Sequence, residues 1–144
     1  MSAVAVHHRR LKRIEFSFAL DDEAPAQFEC QINTWELDPG EQDGDRRYTF
    51  CPDGEFEEET DSEPQLTLGF FADWRSEGIS DFLWTNRGKV ADVEIVHHPD
   101  TPEETVTFAG KVRLKAPPVG GDARTTEEQE ITLMVTELSY VRPS

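Results

Sequence analysis

The stretch that decides the fold is LTLGFFADWRSEGISDFLWTNRGK, residues 66–89. Its first part has apolar side chains at every second position, and side chains on a strand alternate between the two faces. The apolar set that falls on one face comprises Leu66, Leu68, Phe70, Ala72 and Trp74. We therefore expect a strand with this whole face, including Trp74, buried in a core.

The second part of the same stretch predicts a short α-helix, from about Ser80 to Arg87. Ser80 is the expected N-cap, because a serine hydroxyl can accept a bond from a free backbone N–H, and Gly88 can adopt the left-handed conformation that ends a helix. A helix this short is not stable alone. We expect it to dock on a sheet through three apolar side chains, Phe82, Leu83 and Trp84.

Alternating apolar runs elsewhere predict further strands. They lie at residues 14–20, 27–37, 91–97, 105–115 and 129–138, with a shorter candidate at 46–51. A phase shift near Asn33 and Thr34 indicates a β-bulge. The last run has apolar residues on both faces, including Met134 and Leu138, so we expect both faces to be covered. About seven strands with one flanking helix predict a mainly β fold, a β-sandwich or flattened barrel, and residues 1–144 are expected to form one domain.

Composition argues against several classes of protein. The chain has 30 acidic and 14 basic residues and a formal charge of -16. Such a chain repels phosphates, which argues against nucleic acid as a binding partner. Its N-terminal apolar run is too short for a secretory signal, and no stretch approaches membrane-spanning length. We therefore expect a cytoplasmic protein with no membrane partner.

The residue types that commonly hold metals or carry catalysis form no recognisable site. Cys30 and Cys51 are expected to be two buried thiols rather than a disulfide, given a reducing compartment. His97 and His98 are adjacent at a strand end, so their rings should point to opposite sides and share no metal. Residues 41–45 resemble alternating calcium ligands but lack the glycine and the closing glutamate of a calcium-binding loop. No nucleophile, phosphate-loop or dinucleotide motif is present, so we expect no enzyme activity, no cofactor and no metal.

Two segments fall outside the regular pattern. Residues 1–9 are expected to form a flexible N-terminal arm, which runs into a basic block at residues 7–13. Residues 38–65 are expected to form a long loop, and such an excursion in a small domain is usually either functional or disordered. Its acidic second half has the composition of a solvated or flexible segment. We expect the loop to be mobile in a free subunit and ordered in an assembly.

Several features, taken in order, resemble the tail tube proteins, or major tail proteins, of bacteriophages with long, non-contractile tails. They are Phe28-x-Cys30-x-Ile32 before Leu37-x-Pro39-Gly40, then Leu66-x-Leu68 before Asp73-Trp74, then Gly78-Ile79-Ser80-x-Phe82-Leu83-Trp84 closed by Gly88-Lys89, then Val106-x-Phe108-x-Gly110-Lys111-Val112, and then Ala116-Pro117-Pro118-Val119-Gly120-Gly121-Asp122-Ala123. The likeness covers roughly residues 10 to 140. The resemblance rests on the order and spacing of these motifs.

The resemblance implies a structural virion protein of the viral tail. Six copies would form a ring, and stacked hexameric rings would form the tube through which DNA and the tape measure protein pass during genome ejection. DNA would pass without specific binding, and other tail proteins such as the terminator would be partners. The chain would be located in the virion tail, after assembly in the host cytoplasm.

The resemblance also suggests which residues make the contacts between subunits. In this family a long loop after the second strand contacts the next ring, and residues 38–65 occupy that place. The candidate stacking residues are Asp38, Glu41, Asp43, Asp45, Arg46, Arg47, Glu57, Glu58 and Glu59. The candidate basic residues that would neutralise acidic residues of a neighbouring subunit are Arg9, Arg10, Lys12, Arg13, Lys111, Arg113 and Lys115.

Two other interpretations remain open at this point. One is a tail terminator or adaptor, a virion protein that forms a single ring and stops. The other is a monomeric, acidic β-sandwich binding module that uses residues 53–63 against a basic partner.

Overall fold

The structure is a computed structural model that describes residues 3–8, 10–21 and 23–142. In chain order its elements are β1 Ile14–Leu20, β2 Ala26–Gln27, β3 Ile32–Asp38, β4 Arg46–Tyr48, β5 Glu55–Glu57, β6 Gln65–Phe71, α1 Ile79–Thr85, β7 Val90–His97, β8 Val106–Arg113 and β9 Glu128–Val141. The expected mainly β fold with one short helix is confirmed.

Most of the strands belong to one sheet. Seven of the described strands form an antiparallel sheet in the order β2-β1-β7-β8-β9-β6-β3. The sheet curls into a half-barrel around its core, which is the flattened-barrel form of the expected fold class. The other two strands, β4 and β5, pair with each other.

Strand β9 joins the two halves of the sheet. It has 14 residues, of which Glu128 to Met134 pair with β6, whereas the part from Val135 onwards pairs with β8. The β8 ladder shifts register beside Gly110, and Glu137 has a positive φ of 55° at the same place. Such a bulge bends a strand. One long strand can therefore serve both halves of a curled sheet.

One face of the sheet forms the core. Leu66, Leu68 and Phe70 of β6 are fully buried, as their alternation predicts. Inward-facing residues from the other strands and from the end of β8 join them, namely Phe16, Phe18, Ala91, Val93, Ile95, Val112, Leu114, Ile131, Leu133 and Val135. Burial of each large apolar side chain stabilises the fold by about 1.5–3 kcal/mol.

The prediction that Trp74 lies in the core is wrong. Strand β6 ends at Phe71, so Trp74 lies beyond it, and its side chain is 44% exposed. Its indole Nε1 donates a hydrogen bond to Glu127 at 3.0 Å. The alternation does not continue because the chain turns after β6 to reach the helix.

The helix lies close to its expected position but is capped differently. Gly78 is the N-cap and makes no side-chain cap bond, so the prediction of Ser80 as N-cap is wrong. Ser80 is instead buried, and its hydroxyl accepts a bond from the Asp73 N–H at 3.0 Å. The helix ends at Thr85, before Arg87, and Gly88 follows with a φ of 86°, as expected of a residue that terminates a helix.

Aromatic contacts dock the helix on the sheet. The ring of Phe82 stacks on Phe18 with centroids 6.0 Å apart and meets Phe28 at 5.1 Å. Leu83 is fully buried in the same core. Trp84 is only partly buried, and the Arg87 guanidinium lies 5.5 Å from its ring centroid. The expected docking is therefore confirmed for Phe82 and Leu83.

The predicted strand at residues 27–37 is broken by a turn. Strands β2 and β3 flank this turn, and a register shift between Ile32 and Thr34 confirms the expected bulge. Cys30 lies in the turn and Cys51 in a loop, and both are exposed and unpaired. The prediction of two buried thiols is therefore wrong, because neither cysteine lies on a strand face.

Two further expectations fail, at Met134 and at the histidine pair. Met134 is 56% exposed, so β9 is covered on one face only. The rings of His97 and His98 lie 4.0 Å apart, because His98 has a positive φ of 54° that turns its side chain back. Burial, and secondarily the neighbouring His98, lower the pKa of His97.

Candidate assembly surfaces

The face of the sheet opposite the core is strongly acidic. We call it the acidic sheet face. The register places on it seven exposed carboxylate residues: Glu15, Glu36, Asp38, Asp92, Glu94, Glu128 and Glu130. Lys111 and Arg113 of β8 lie on the same face and are its basic residues among those described. The face therefore carries a clear excess of negative charge.

The basic residues of β8 neutralise little of this charge. Lys111 lies opposite Asp92 in the register, and its Nζ is 3.9 Å from a carboxylate oxygen of Glu137. Both side chains of that pair are exposed, and exposed pairs contribute about 0–1 kcal/mol. Arg113 and Lys115, both predicted contact residues, are exposed as well. They remain available to carboxylates of another molecule.

The sheet is open at both edges. Strand β3 has no neighbour on its outer side among the described strands, and the two-residue β2 covers only Ser17 and Phe18 of β1. One more backbone bond, from the Phe28 N–H to the Phe16 carbonyl at 2.9 Å, protects the β1 edge. Unpaired edges are templates for pairing with another chain.

Residues 38–65 form a hairpin arm that is more regular than the expected loop. At its base the Glu63 N–H donates to the Gly40 carbonyl at 3.0 Å, and further out the Glu58 N–H donates to Asp45 at 2.9 Å. Strands β4 and β5 continue this ladder. They contact each other and no other strand or helix of the described chain. The outer part of the arm is therefore not packed on the sheet.

The structure brings several predicted stacking residues together within this arm. Arg46 pairs with Glu55 at 3.0 Å, and Arg47 pairs with Glu58 at 2.5 Å. The carboxylates of Glu57 and Asp38 accept bonds from the backbone N–H groups of Gly44 and Gly40, each at 2.8 Å. The remaining predicted acids are exposed and form no ion pair within the described residues: Glu41, Asp43, Asp45 and Glu59.

Sequence reasoning missed the aromatic residues of the arm. Tyr48, Phe50 and Phe56 are 69%, 110% and 55% exposed, respectively. The sequence could have indicated their exposure, because they lie in a segment with eleven acidic and two basic residues. An apolar side chain in such a segment has no core to join. Strongly exposed aromatic groups mark a contact surface more clearly than the surrounding acids do.

The N-terminal basic residues border a groove. Arg10, Lys12 and Arg13 are exposed, whereas Arg9 lies outside the described residues. Between this segment and β3 is a groove of about 400 Å³, which we call the basic groove. Its lining includes Leu11, Lys12, Arg13, Ile14, Ile32 and Trp35. Within the described residues, no ion pair joins these N-terminal bases to the acids of the arm.

A polar cluster fixes the chain between β6 and the helix. The Asp73 carboxylate accepts bonds from the Arg75 guanidinium at 2.8 and 2.9 Å and from the Gln31 side chain. The hydrogen bond from the Arg75 side chain is the main reason that the pKa of Asp73 falls from 3.8 to about 2. This cluster therefore fixes the course of the chain between β6 and the helix.

Two kinds of site are absent from the part of the chain that the structure describes. No group of three or more His, Cys, Asp or Glu residues is placed to hold a metal ion. No helix there is long and apolar enough to cross a membrane.

Solved structures with a similar fold belong to tube assemblies. The chain matches the SPP1 tail tube with a TM-score of 0.63 and 12% identity, covering 88% of this chain and 75% of that one. It matches a chain of the sheath–tube complex of an extracellular contractile injection system, PVC, in its extended state, with a TM-score of 0.52 and 19% identity, covering 90% and 88%. No protein-family model and no curated protein sequence matches the chain.

The chain therefore has the fold of tail tube proteins, as its resemblance to that family predicted. These neighbours are components of tube structures. At such low identity the likeness concerns the fold, so the function has to be argued from the surfaces.

Proposed function

We propose that the chain is the structural subunit of a phage tail tube, assembled as stacked hexameric rings that conduct DNA during ejection. The single observation that carries the proposal is the acidic sheet face, which belongs to a half-barrel with two open edges. A monomeric protein has little reason to combine a bare, charged sheet face with unpaired edges.

Joining sheets edge to edge explains the two open edges. When β3 of one copy meets the β1–β2 edge of the next, their backbone groups gain hydrogen-bond partners. Six copies joined in this way give a continuous β-barrel, and a closed ring has no free edge. Residues 1–144 then act as one tube-forming unit.

The charge of the sheet face suits the wall of a conduit. Duplex DNA carries one negative charge per roughly 1.7 Å of its axis. A wall with seven carboxylates and two basic residues per subunit repels DNA, so the DNA slides without specific binding. Salt screens this repulsion beyond about 8 Å at physiological ionic strength, so only DNA close to the wall is affected.

The remaining surfaces are assigned to contacts between subunits. The hairpin arm reaches the next ring through its exposed acids, and the bases near the N-terminus and at the end of β8 meet acids of neighbouring copies. Tape measure and terminator proteins are the further partners of such a tube. The location is the virion tail, after assembly in the host cytoplasm.

Electron microscopy of the concentrated protein tests the proposal. We expect filaments with a central channel built from six-membered rings. Hydrogen exchange adds a residue-level readout: the amides on the outer edge of β3 should exchange rapidly in free subunits and slowly in filaments. Amides of β7, which is paired with β1 on one side and with β8 on the other, should be protected in both states and serve as the internal control.

The other outcomes identify different proteins. A single closed ring that never stacks indicates a terminator or adaptor. A chain that remains monomeric at high concentration and is absent from tails overturns the tube proposal. A binding module would then be tested by replacing the acids of residues 53–63 with Ser or Gln, which should abolish capture of a basic partner.

A further inference from the structure

We propose that the tip of the hairpin arm docks in the basic groove of a second copy in the next ring. The inference rests on the proposed tube function and deepens it, because it names the two surfaces that meet when rings stack. The tip comprises β4, β5 and the turn between them.

The tip presents an apolar surface that its own subunit does not cover. Tyr48, Phe50 and Phe56 expose most of their side chains, and Phe50 is fully exposed at the turn. Apolar surface left in water costs about 25 cal/mol per Å² relative to burial. Because β4 and β5 contact no other strand or helix of the described chain, these rings are left available to another molecule.

The basic groove has the size and lining to receive an aromatic side chain. Its volume of about 400 Å³ lies within the roughly 300–1,000 Å³ that is typical of pockets for compact ligands. Leu11, Ile14, Ile32 and Trp35 contribute apolar side chains to a mixed lining that also includes Lys12, Arg13, Glu29 and Asn33. Phe50 is the most exposed of the three aromatic side chains and is the one we place in the groove.

Two side chains of the groove hold polar atoms that lack partners. Nε1 of Trp35 and Oε2 of Glu29 are buried without a hydrogen-bond partner among the described residues. Leaving such an atom unpaired costs about 1–3 kcal/mol. The hydroxyl of Tyr48 can both donate and accept a hydrogen bond, so it has the chemistry to pair with either atom.

Charge favours an arm of the same protein as the occupant. Between Asp45 and Glu59 the arm has six carboxylates and two arginines, and both arginines are already paired within the arm. The groove is bordered by Lys12 and Arg13, with Arg10 close by, and Glu29 is the acidic residue of its lining, so bases outnumber acids there. Opposite charges steer the tip to the groove, whereas two acidic arms repel each other.

The size of the contact predicts that docking is cooperative. A single tip buries less than the roughly 1,200–2,000 Å² of a stable protein interface. Docking is therefore weak between two free subunits. It becomes strong when the arms of a whole ring engage the next ring together, because each contact raises the effective concentration for the others.

The two native cysteines provide a direct test. Cys51 follows Phe50 at the tip and Cys30 lines the groove, and both thiols are exposed and unpaired. Docking brings them close together, so a short bismaleimide, to which each thiol adds across a C=C bond, should link Cys51 of one copy to Cys30 of another in assembled protein. The linked product should be lost in Cys30→Ser and equally in Cys51→Ser. A product that persists in either variant joins two identical cysteines and contradicts the docking.

A surface variant separates this proposal from the tube function itself. Phe50→Ser removes the central ring of the tip without touching the core, and Val119→Ser, at a residue that is 60% exposed elsewhere, is the matched control. We expect Phe50→Ser to form rings that do not stack and Val119→Ser to form normal filaments. Normal filaments from Phe50→Ser, with no Cys30–Cys51 product in the wild type, overturn the docking and leave the tube function standing. A wild-type protein that never assembles overturns both.

Discussion

The hydroxyl of Ser80 donates a hydrogen bond to the side-chain oxygen of Gln129 at 2.6 Å, and both side chains are buried. The amide nitrogen of Gln129 in turn donates to the Pro118 carbonyl at 3.1 Å. These bonds tie the first turn of the helix to the start of β9 and to the segment before it. The helix is thus held by a polar connection as well as by its apolar face.

Removal of this hydroxyl should destabilise the subunit. Ser80→Ala leaves the Gln129 oxygen and the Asp73 N–H without their partner, so we expect a loss of about 1–3 kcal/mol in the free energy of unfolding. Urea unfolding of the free subunit measures it. Ser76→Ala, at an exposed position nearby, should change stability by less than about 0.5 kcal/mol. Equal effects of the two variants would show that the bond contributes nothing.

Truncation of the buried helix residue should have a larger effect. Leu83 is fully buried, so Leu83→Ala leaves a cavity and should cost about 2–5 kcal/mol. The exposed neighbour Thr85 is the control, because Thr85→Ala keeps the helix and removes no core contact. Thermal unfolding of free subunits checks both. A stable Leu83→Ala subunit that fails only to assemble would place this helix face in an interface.

The subunit should lose stability in acid partly through Asp73. Its pKa is about 2 when folded and 3.8 in the unfolded reference, so the stabilisation is fully present above pH 3.8 and is lost as the pH falls from there towards 2. Asp73→Asn should therefore flatten the decline of the melting temperature in this window. Asp61→Asn, on the exposed arm, should leave the decline unchanged. If the melting temperatures of Asp73→Asn and the wild type decline in parallel with falling pH, Asp73 does not contribute to the loss of stability in acid.

The base of the hairpin arm should be sensitive to one methyl group. Gly40 has a φ of 66°, and an added Cβ would lie 2.0 Å from the Glu63 carbonyl oxygen. Gly40→Ala should loosen the arm, raising hydrogen exchange and protease cleavage within residues 38–65. Gly121→Ala, where an added Cβ meets nothing within 4 Å, is the control. Since the clash lies outside the core, the free energy of global unfolding should change much less than the rate of protease cleavage in the arm. An unchanged cleavage rate would argue against the hydrogen-bonded ladder at the base of the arm.

Patterns of the sequence located the elements well. Period-two alternation places Leu66, Leu68 and Phe70 in the core, because a strand with one buried face requires it. The same signal fails at Trp74 and Met134. Alternation does not say where a strand ends or whether its second face is covered, and both depend on the neighbours that a strand acquires.

Residues 66–89 and the other ordered motifs resemble tail tube proteins, and this resemblance predicted the tail tube fold. The solved tube structures support that fold. The candidate surfaces were less accessible to sequence reasoning. The acids of the sheet face come from β1, β3, β7 and β9, and only the strand order brings them onto one surface. Within the arm only a candidate strand at residues 46–51 was predicted, and the remainder was expected as a loop because its short ladder has no apolar alternation.

The sequence by itself determined where most of the sheet strands and the helix lie and that the chain is strongly acidic, since these follow from local periodicity and composition. Only the tertiary structure decided that Ser80 bonds Gln129, that both edges of the sheet are open and that three aromatic side chains stand on an exposed arm. These features depend on contacts between residues far apart in the chain. Local pattern carries no information about such pairings, because they are selected by the free energy of the whole fold.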